Sequence, residues 1–149
     1  MPRPVVTVRG LDDFRRELNR MNRQYGKEIG DINFKVAEFV IDKAEQRGRR
    51  LGGVHAHVVG NNAFRASKRQ RAATVNVGGA AAKHGPVLGA EFGAKQYRQF
   101  PEWRGNQWSP DGSAGVGYML HPAIRENAEE WLDMYWDELN RLARRAFPD

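Results

Sequence analysis

His121-Pro-Ala-Ile-Arg-Glu-Asn-Ala-Glu-Glu-Trp-Leu-Asp-Met-Tyr-Trp-Asp-Glu-Leu-Asn-Arg-Leu-Ala-Arg-Arg-Ala146 is the most fully specified stretch of the chain. Within it Ile124, Ala128, Trp131, Tyr135, Leu139, Leu142 and Ala146 follow steps of 4, 3, 4, 4, 3 and 4, one apolar stripe of an α-helix. Glu126, Glu129, Glu130, Asp133 and Asp137 fall on the opposite face. Pro122 suits a first turn, and acids at the start with Arg141, Arg144 and Arg145 at the end complement the helix dipole. Trp136 lies between the two faces, where a large ring is only partly covered. One long helix is therefore expected over 122–146, its stripe turned toward the core.

The segment before it, Tyr118-Met119-Leu120-His121, follows a glycine-rich stretch containing Gly105, Pro110, Gly112, Gly115 and Gly117. That composition predicts a loop over about 97–117, with a strand near Val116–Leu120. The loop carries Tyr97, Phe100, Trp103 and Trp108. So much Gly and Pro cannot bury several large rings, and Tyr and Trp are enriched at interface hot spots. These rings are expected to serve contact between subunits. Preceding the loop, Leu88-Gly89-Ala90-Glu91-Phe92-Gly93 sets a carboxylate in a tight turn. Glu91, with Phe92 and Gly93 beside it, is expected to cap a helical turn as a hydrogen-bond acceptor.

Further back, Leu11, Phe14, Leu18, Met21 and Tyr25 share a narrow helical face and predict a helix over 11–25, with Asp12 and Asp13 in its first turn. A second helix is expected over 27–47; Ile29, Ile32, Val36, Phe39 and Val40 form one face, while Phe34 and Ile41 spread toward another. A helix apolar on two sides packs between two layers. Val5–Val8 and Ala72–Val77 read as strands, Val54–Val59 as a strand or a short helix, and Phe64–Arg71 as a basic hairpin arm or loop. The expected fold is α+β, one domain of three main helices packed on a small, mainly antiparallel sheet, with a long C-terminal helix.

The 149 residues carry a net charge of +6 and no cysteine, which excludes disulfides, zinc–thiolate sites and a cysteine nucleophile. Mean hydropathy is −0.71, so much of the surface is polar. No run approaches the ~18 apolar residues of a membrane span, and the first residues lack a signal-peptide pattern, so a soluble protein made inside the cell is expected. The charge is uneven. Between Glu45 and Glu91 stand eight basic residues, Arg47, Arg49, Arg50, Arg65, Lys68, Arg69, Arg71 and Lys83, and no acidic one. Such a block calls for a polyanion or an acidic patch on a partner.

Sites of chemistry are sparse. His55-x-His57 would place both rings on one side of a strand, but no third ligand is near in sequence. Ser67, Ser109 and Ser113 lack a His or Asp in a catalytic pattern, and Gly78-Gly79 and Gly85 lack the Lys-Ser/Thr that follows a phosphate loop. The expectation is a protein without catalytic residues, metal or cofactor. The cations Arg65, Lys68, Arg69 and Arg71 suit either phosphates or an acidic neighbour, Glu130 and Asp133 of the last helix being the acids proposed to meet them.

Two stretches carry a resemblance: Leu88-Gly-Ala-Glu-Phe-Gly93, and, 25 residues after it, Tyr118-Met-Leu-His-Pro-Ala123 opening the last helix. Together with Val6-x-Val8-x-Gly10-Leu11-Asp12-x-Phe14 they resemble the neck and tail-completion proteins of long-tailed bacteriophages. In that family a Glu-Phe-Gly turn precedes a variable loop, and an aromatic-x-x-Pro-Ala segment begins the final helix. Family members often carry a Pro-Phe pair where this chain has Tyr118-Met119-Leu120-His121, and the resemblance is weakest over 50–80.

The resemblance implies a structural protein of the virion head–tail junction. It would form a ring, a hexamer or a dodecamer, between capsid connector or stopper and tail tube, made in the host cytoplasm and leaving a channel for DNA. No membrane is involved. The alternative from the residues themselves is a small basic nucleic-acid-binding protein using residues 47–71; a third, weaker reading is a hydrolase or nuclease built on His55, His57 and Glu91.

Overall fold

Ile29, Ile32, Val36, Ala37, Val40, Ile41 and Ala44 are all buried, and together they make the spine of the molecule. They belong to helix α1, Tyr25–Leu51, around which everything else is arranged in a computed structural model that describes residues 25–77, 86–104 and 115–146. In order there follow α2 (Gly53–Gly60), the strands β1 (Phe64–Ser67) and β2 (Thr74–Val77), α3 (Pro86–Phe92), α4 (Leu120–Glu126) and α5 (Ala128–Ala146). The expected strand at Val5–Val8 and helix at 11–25 lie outside the described residues, apart from Tyr25, which begins α1.

The fold is α+β, helices packed on a small antiparallel sheet with a long C-terminal helix. β1 and β2 form a hairpin in the register Phe64↔Val77 to Ser67↔Thr74. α1 touches both strands and also α2, α4 and α5, as its two apolar faces require. Its first half packs through Ile29, Ile32 and Val36 on Tyr135, Leu139 and Leu142 of α5. Its second half packs through Val40, Ile41 and Ala44 on a larger cluster from α2, β1, α3 and α4, including Val58, Phe64, Val87 and Met119. Trp131 touches both clusters and joins them.

Several boundaries differ from expectation, three of them for a physical reason visible in the structure. α1 does not stop before Gly48 but runs to Leu51. Gly48 is the point where α2 crosses: a Cβ there would stand 2.6 Å from Val59 Cγ2 and 2.9 Å from Met119 Sδ, so glycine serves close approach, not termination. The single helix expected over 122–146 is two, broken at Asn127. The Asn127 side chain bonds the Ala123 carbonyl (2.9 Å), competing with the helix ladder, and the Trp131 indole N–H takes the Ile124 carbonyl (2.9 Å) across the break. The strand expected near Val116–Leu120 is instead a bend that runs into α4, because its amides are claimed by a side chain, as described below. The strand expected over Ala72–Val77 spans only Thr74–Val77, while Val54–Val59 takes the second of its two expected forms, a short helix.

Candidate functional site

The two stretches flanking the glycine-rich loop meet at one carboxylate. Glu91 ends the second turn of α3, with its side chain 3% exposed. Its Oε1 accepts the backbone N–H groups of Met119 (3.1 Å) and Leu120 (2.8 Å). Its Oε2 accepts the His121 backbone N–H (3.1 Å) and the ring N–H at Nδ1 (2.8 Å). Those amides begin α4, where a helix has no internal partners for them, and Met119 supplies no side-chain cap of its own. Glu91 is thus a cap brought from another helix, with a carboxylate at the positive end of the dipole. All four of its acceptor positions are filled, which leaves none for a substrate proton.

Gly117 makes the fit possible. It stands at φ 87°, and a Cβ there would collide with Glu91 Oε2 and come within 2.6 Å of His121 Cβ. Around this centre the Phe92 ring lies 5.2 Å from His121 and the Tyr118 hydroxyl donates to the Glu102 carbonyl (2.6 Å). The Arg104 guanidinium lies 3.8 Å over the Tyr118 ring and donates to the Gly117 carbonyl (3.2 Å). Past Gly93, at φ 85°, the Ala94 N–H bonds the Pro101 carbonyl (2.9 Å) and closes the near end of the loop.

His55 and His57 stand on α2, not on a strand, so two residues' separation turns their rings to different sides. His55 is buried, 5.4 Å from the Tyr118 ring; His57 is exposed. Burial pushes His55 below its ordinary imidazole pKa, so it is neutral at pH 7, and its Nε2 has no hydrogen-bond partner among the described residues. Among the described residues no group of three or more His, Cys, Asp or Glu is placed to hold a metal ion.

Most of the remaining described site residues lie on the surface. Tyr97 is 60% exposed and Trp103 is 37% exposed, and both line a shallow pocket of about 390 Å³ with Lys95, whose ammonium is 5.9 Å from the Trp103 ring. Phe100 departs from the expected outward set: it packs against Gly89, where a Cβ would stand 2.6 Å from the ring. Trp108 lies outside the described residues. Trp103→Ala is expected to leave helicity by circular dichroism unchanged while weakening self-association in sedimentation velocity. A variant that unfolds would put Trp103 in the core.

The basic segment is not a projecting arm. Its turn is tied down on α1: the Asn33 amide donates to the carbonyls of Arg69 (2.7 Å) and Gln70 (3.2 Å), while Asn33 Oδ1 accepts the Tyr135 hydroxyl (2.6 Å). Lys68 pairs with Asp31 (3.2 Å) and lies 5.4 Å over the Phe34 ring. Arg65, Arg69 and Arg71 remain exposed. On α5, Glu129, Glu130, Asp133 and Asp137 are exposed, and Trp136 is 40% exposed beside them. Glu138 differs: the Lys35 ammonium hydrogen-bonded to it (2.5 Å) holds its carboxyl below the usual range.

Asn33 and Arg104 were not singled out from sequence, and Arg47 was named only as one cation of the basic block. Asn33 is the polar residue on an otherwise apolar helix face, a visible signal; the structural roles of Arg47 and Arg104, tied to carbonyls 71 and 13 residues on, had none. Compared with family models, characterised proteins and solved structures, the chain matches none. No described helix is long and apolar enough to cross a membrane.

Proposed function

We propose that this protein is a structural component of the head–tail junction of a long-tailed bacteriophage, a neck or tail-completion protein that works as a ring between connector or stopper and tail tube. The observation that carries the reading is the joint at Glu91: the Glu-Phe-Gly turn and the aromatic-x-x-Pro-Ala helix start, on which the resemblance rests, form one hydrogen-bonded unit. A joint of that kind sets the direction of α4, from which the Asn127 turn leads into α5 and its acidic face.

The surface suits a repeating contact. Arg65, Arg69 and Arg71 stand on the hairpin, and the α5 acids Glu129, Glu130, Asp133 and Asp137 have no cation partner among the described residues. A hairpin meeting the α5 face of the next subunit is a heterologous contact, which closes into a ring when its rotation allows. A hexamer is the favoured size. Exposed ion pairs contribute only about 0–1 kcal/mol each, but a closed ring sums them over every interface, so salt should loosen it.

The test is a charge exchange. Reversing Arg69 and Arg71 to Glu should abolish most assembly, and adding Glu130→Lys with Asp133→Lys should restore part of it. Restoration is read as recovered ring mass by light scattering. Normal assembly of the reversed hairpin would remove this contact from the account. Lys68 is left in place because its carboxylate partner is within the same chain.

A further inference from the structure

The C-terminal part of α1 forms one wall of a cleft of about 550 Å³, and α4 with the Asn127 turn forms the other. Lys43, Arg47, Arg49, Arg50, Glu126 and Asn127 are among its lining residues. Lys43, Arg47 and Arg50 follow i, i+4 and i+7, a single strip of the helix, with Arg49 beside it. Arg47 is structural: its Nε donates to the Tyr118 carbonyl (2.7 Å) and its Nη1 to Glu126 (2.8 Å), which ties the two walls together. That pair also occupies the carboxylate of the lining.

The other cations are uncommitted or nearly so. Arg49 reaches Glu45 only at 3.7 Å with its own side chain largely in water, and Arg50 has no acidic partner among the described residues. Lys43 lies 5.4 Å from the Phe39 ring, a contact that positions the ammonium without neutralising it. The neighbouring amides are taken, Gln46 by Asp42 (2.7 Å) and Asn127 by the Ala123 carbonyl (2.9 Å). What remains is three cationic donors, so the fitting ligand is an acceptor carrying several negative charges.

The lining has no aromatic ring to stack a base, and it offers neither a free strand edge nor an apolar groove to hold a peptide. The strip from Lys43 to Arg50 runs about 10 Å along the helix, close to the axial rise of three base pairs. We propose that this cleft binds the phosphodiester backbone of nucleic acid, with Lys43, Arg49 and Arg50 contacting phosphates. Binding is independent of base sequence, because phosphate contacts position a duplex without reading it. The cleft sits at the opposite end of α1 from the hairpin turn, so DNA contact and ring contact use different residues and can fail separately.

Anisotropy of a fluorescein-labelled DNA duplex, titrated with the protein across a range of salt, tests this. Wild type should bind with a slope of log K against log salt of about −2.7, the value for three neutralised phosphates. Lys43→Ala/Arg49→Ala/Arg50→Ala should bind at least tenfold more weakly with the slope flattened, at an unchanged melting temperature, while Arg144→Ala/Arg145→Ala, which removes exposed cations elsewhere, should bind as wild type. The single reversal Arg50→Glu gives the same direction if the triple variant folds poorly. Unaltered binding by the cleft variants, or equal loss in the Arg144→Ala/Arg145→Ala variant, overturns the proposal. So does competition by triphosphate at the affinity of the duplex, which assigns the site to free phosphate, or equal competition by polyglutamate, which assigns it to an acidic chain.

Discussion

Glu91→Ala is expected to lower stability by about 3–5 kcal/mol in urea denaturation, the largest loss of any single substitution outside the apolar core. Hydrogen bonds to a charged group contribute about 1.5–3 kcal/mol, and each buried donor left unpaired costs a further ~1–3 kcal/mol. Glu91 serves three backbone amides and one ring N–H in a site where its side chain is 3% exposed. Water admitted by the truncation recovers part of that sum. Glu91→Gln keeps the shape but turns an NH₂ group toward donors, and an intermediate loss of about 1–3 kcal/mol should result. A Gln variant as stable as wild type would show that packing, not acceptance of the amides, is what Glu91 contributes.

Leu139→Ala should cost about 2–5 kcal/mol. Leu139 is 2% exposed and lies with Tyr135 and Leu142 against Ile29, Ile32 and Val36, the only large contact between α5 and the first half of α1 among the described residues. Deleting its side chain leaves a cavity that two long helices cannot readily close. Denaturant unfolding with an unchanged m-value should show the shift. A loss below roughly half a kcal/mol would mean that α5 docks elsewhere.

The stripe Trp131, Tyr135, Leu139, Leu142 was legible because its partner is a single helix face, and periodicity reports such a face directly. The break at Asn127 was not, since a kink that preserves spacing leaves the period unchanged. Glu91 could be recognised as a cap from its glycine-flanked turn, yet its clients lie 28 to 30 residues away, and a local pattern does not point across a loop. Phe100 illustrates the limit of composition: a ring in a glycine-rich segment still turned inward, because Gly89 leaves a space of its size. The cationic cleft was hidden by sequence order, in which Lys43 stands among Asp42, Glu45 and Gln46. Only helical spacing brings it beside Arg47 and Arg50.

Ring formation is the claim on which the functional account turns, and the mass of the purified protein in solution tests it most directly. Light scattering on the eluting protein at low salt should give a closed species of six protomers of 16.9 kDa each, or of twelve, dissociating as salt rises. A single protomer mass at every concentration and salt, unchanged in the Arg69→Glu/Arg71→Glu variant, would contradict it.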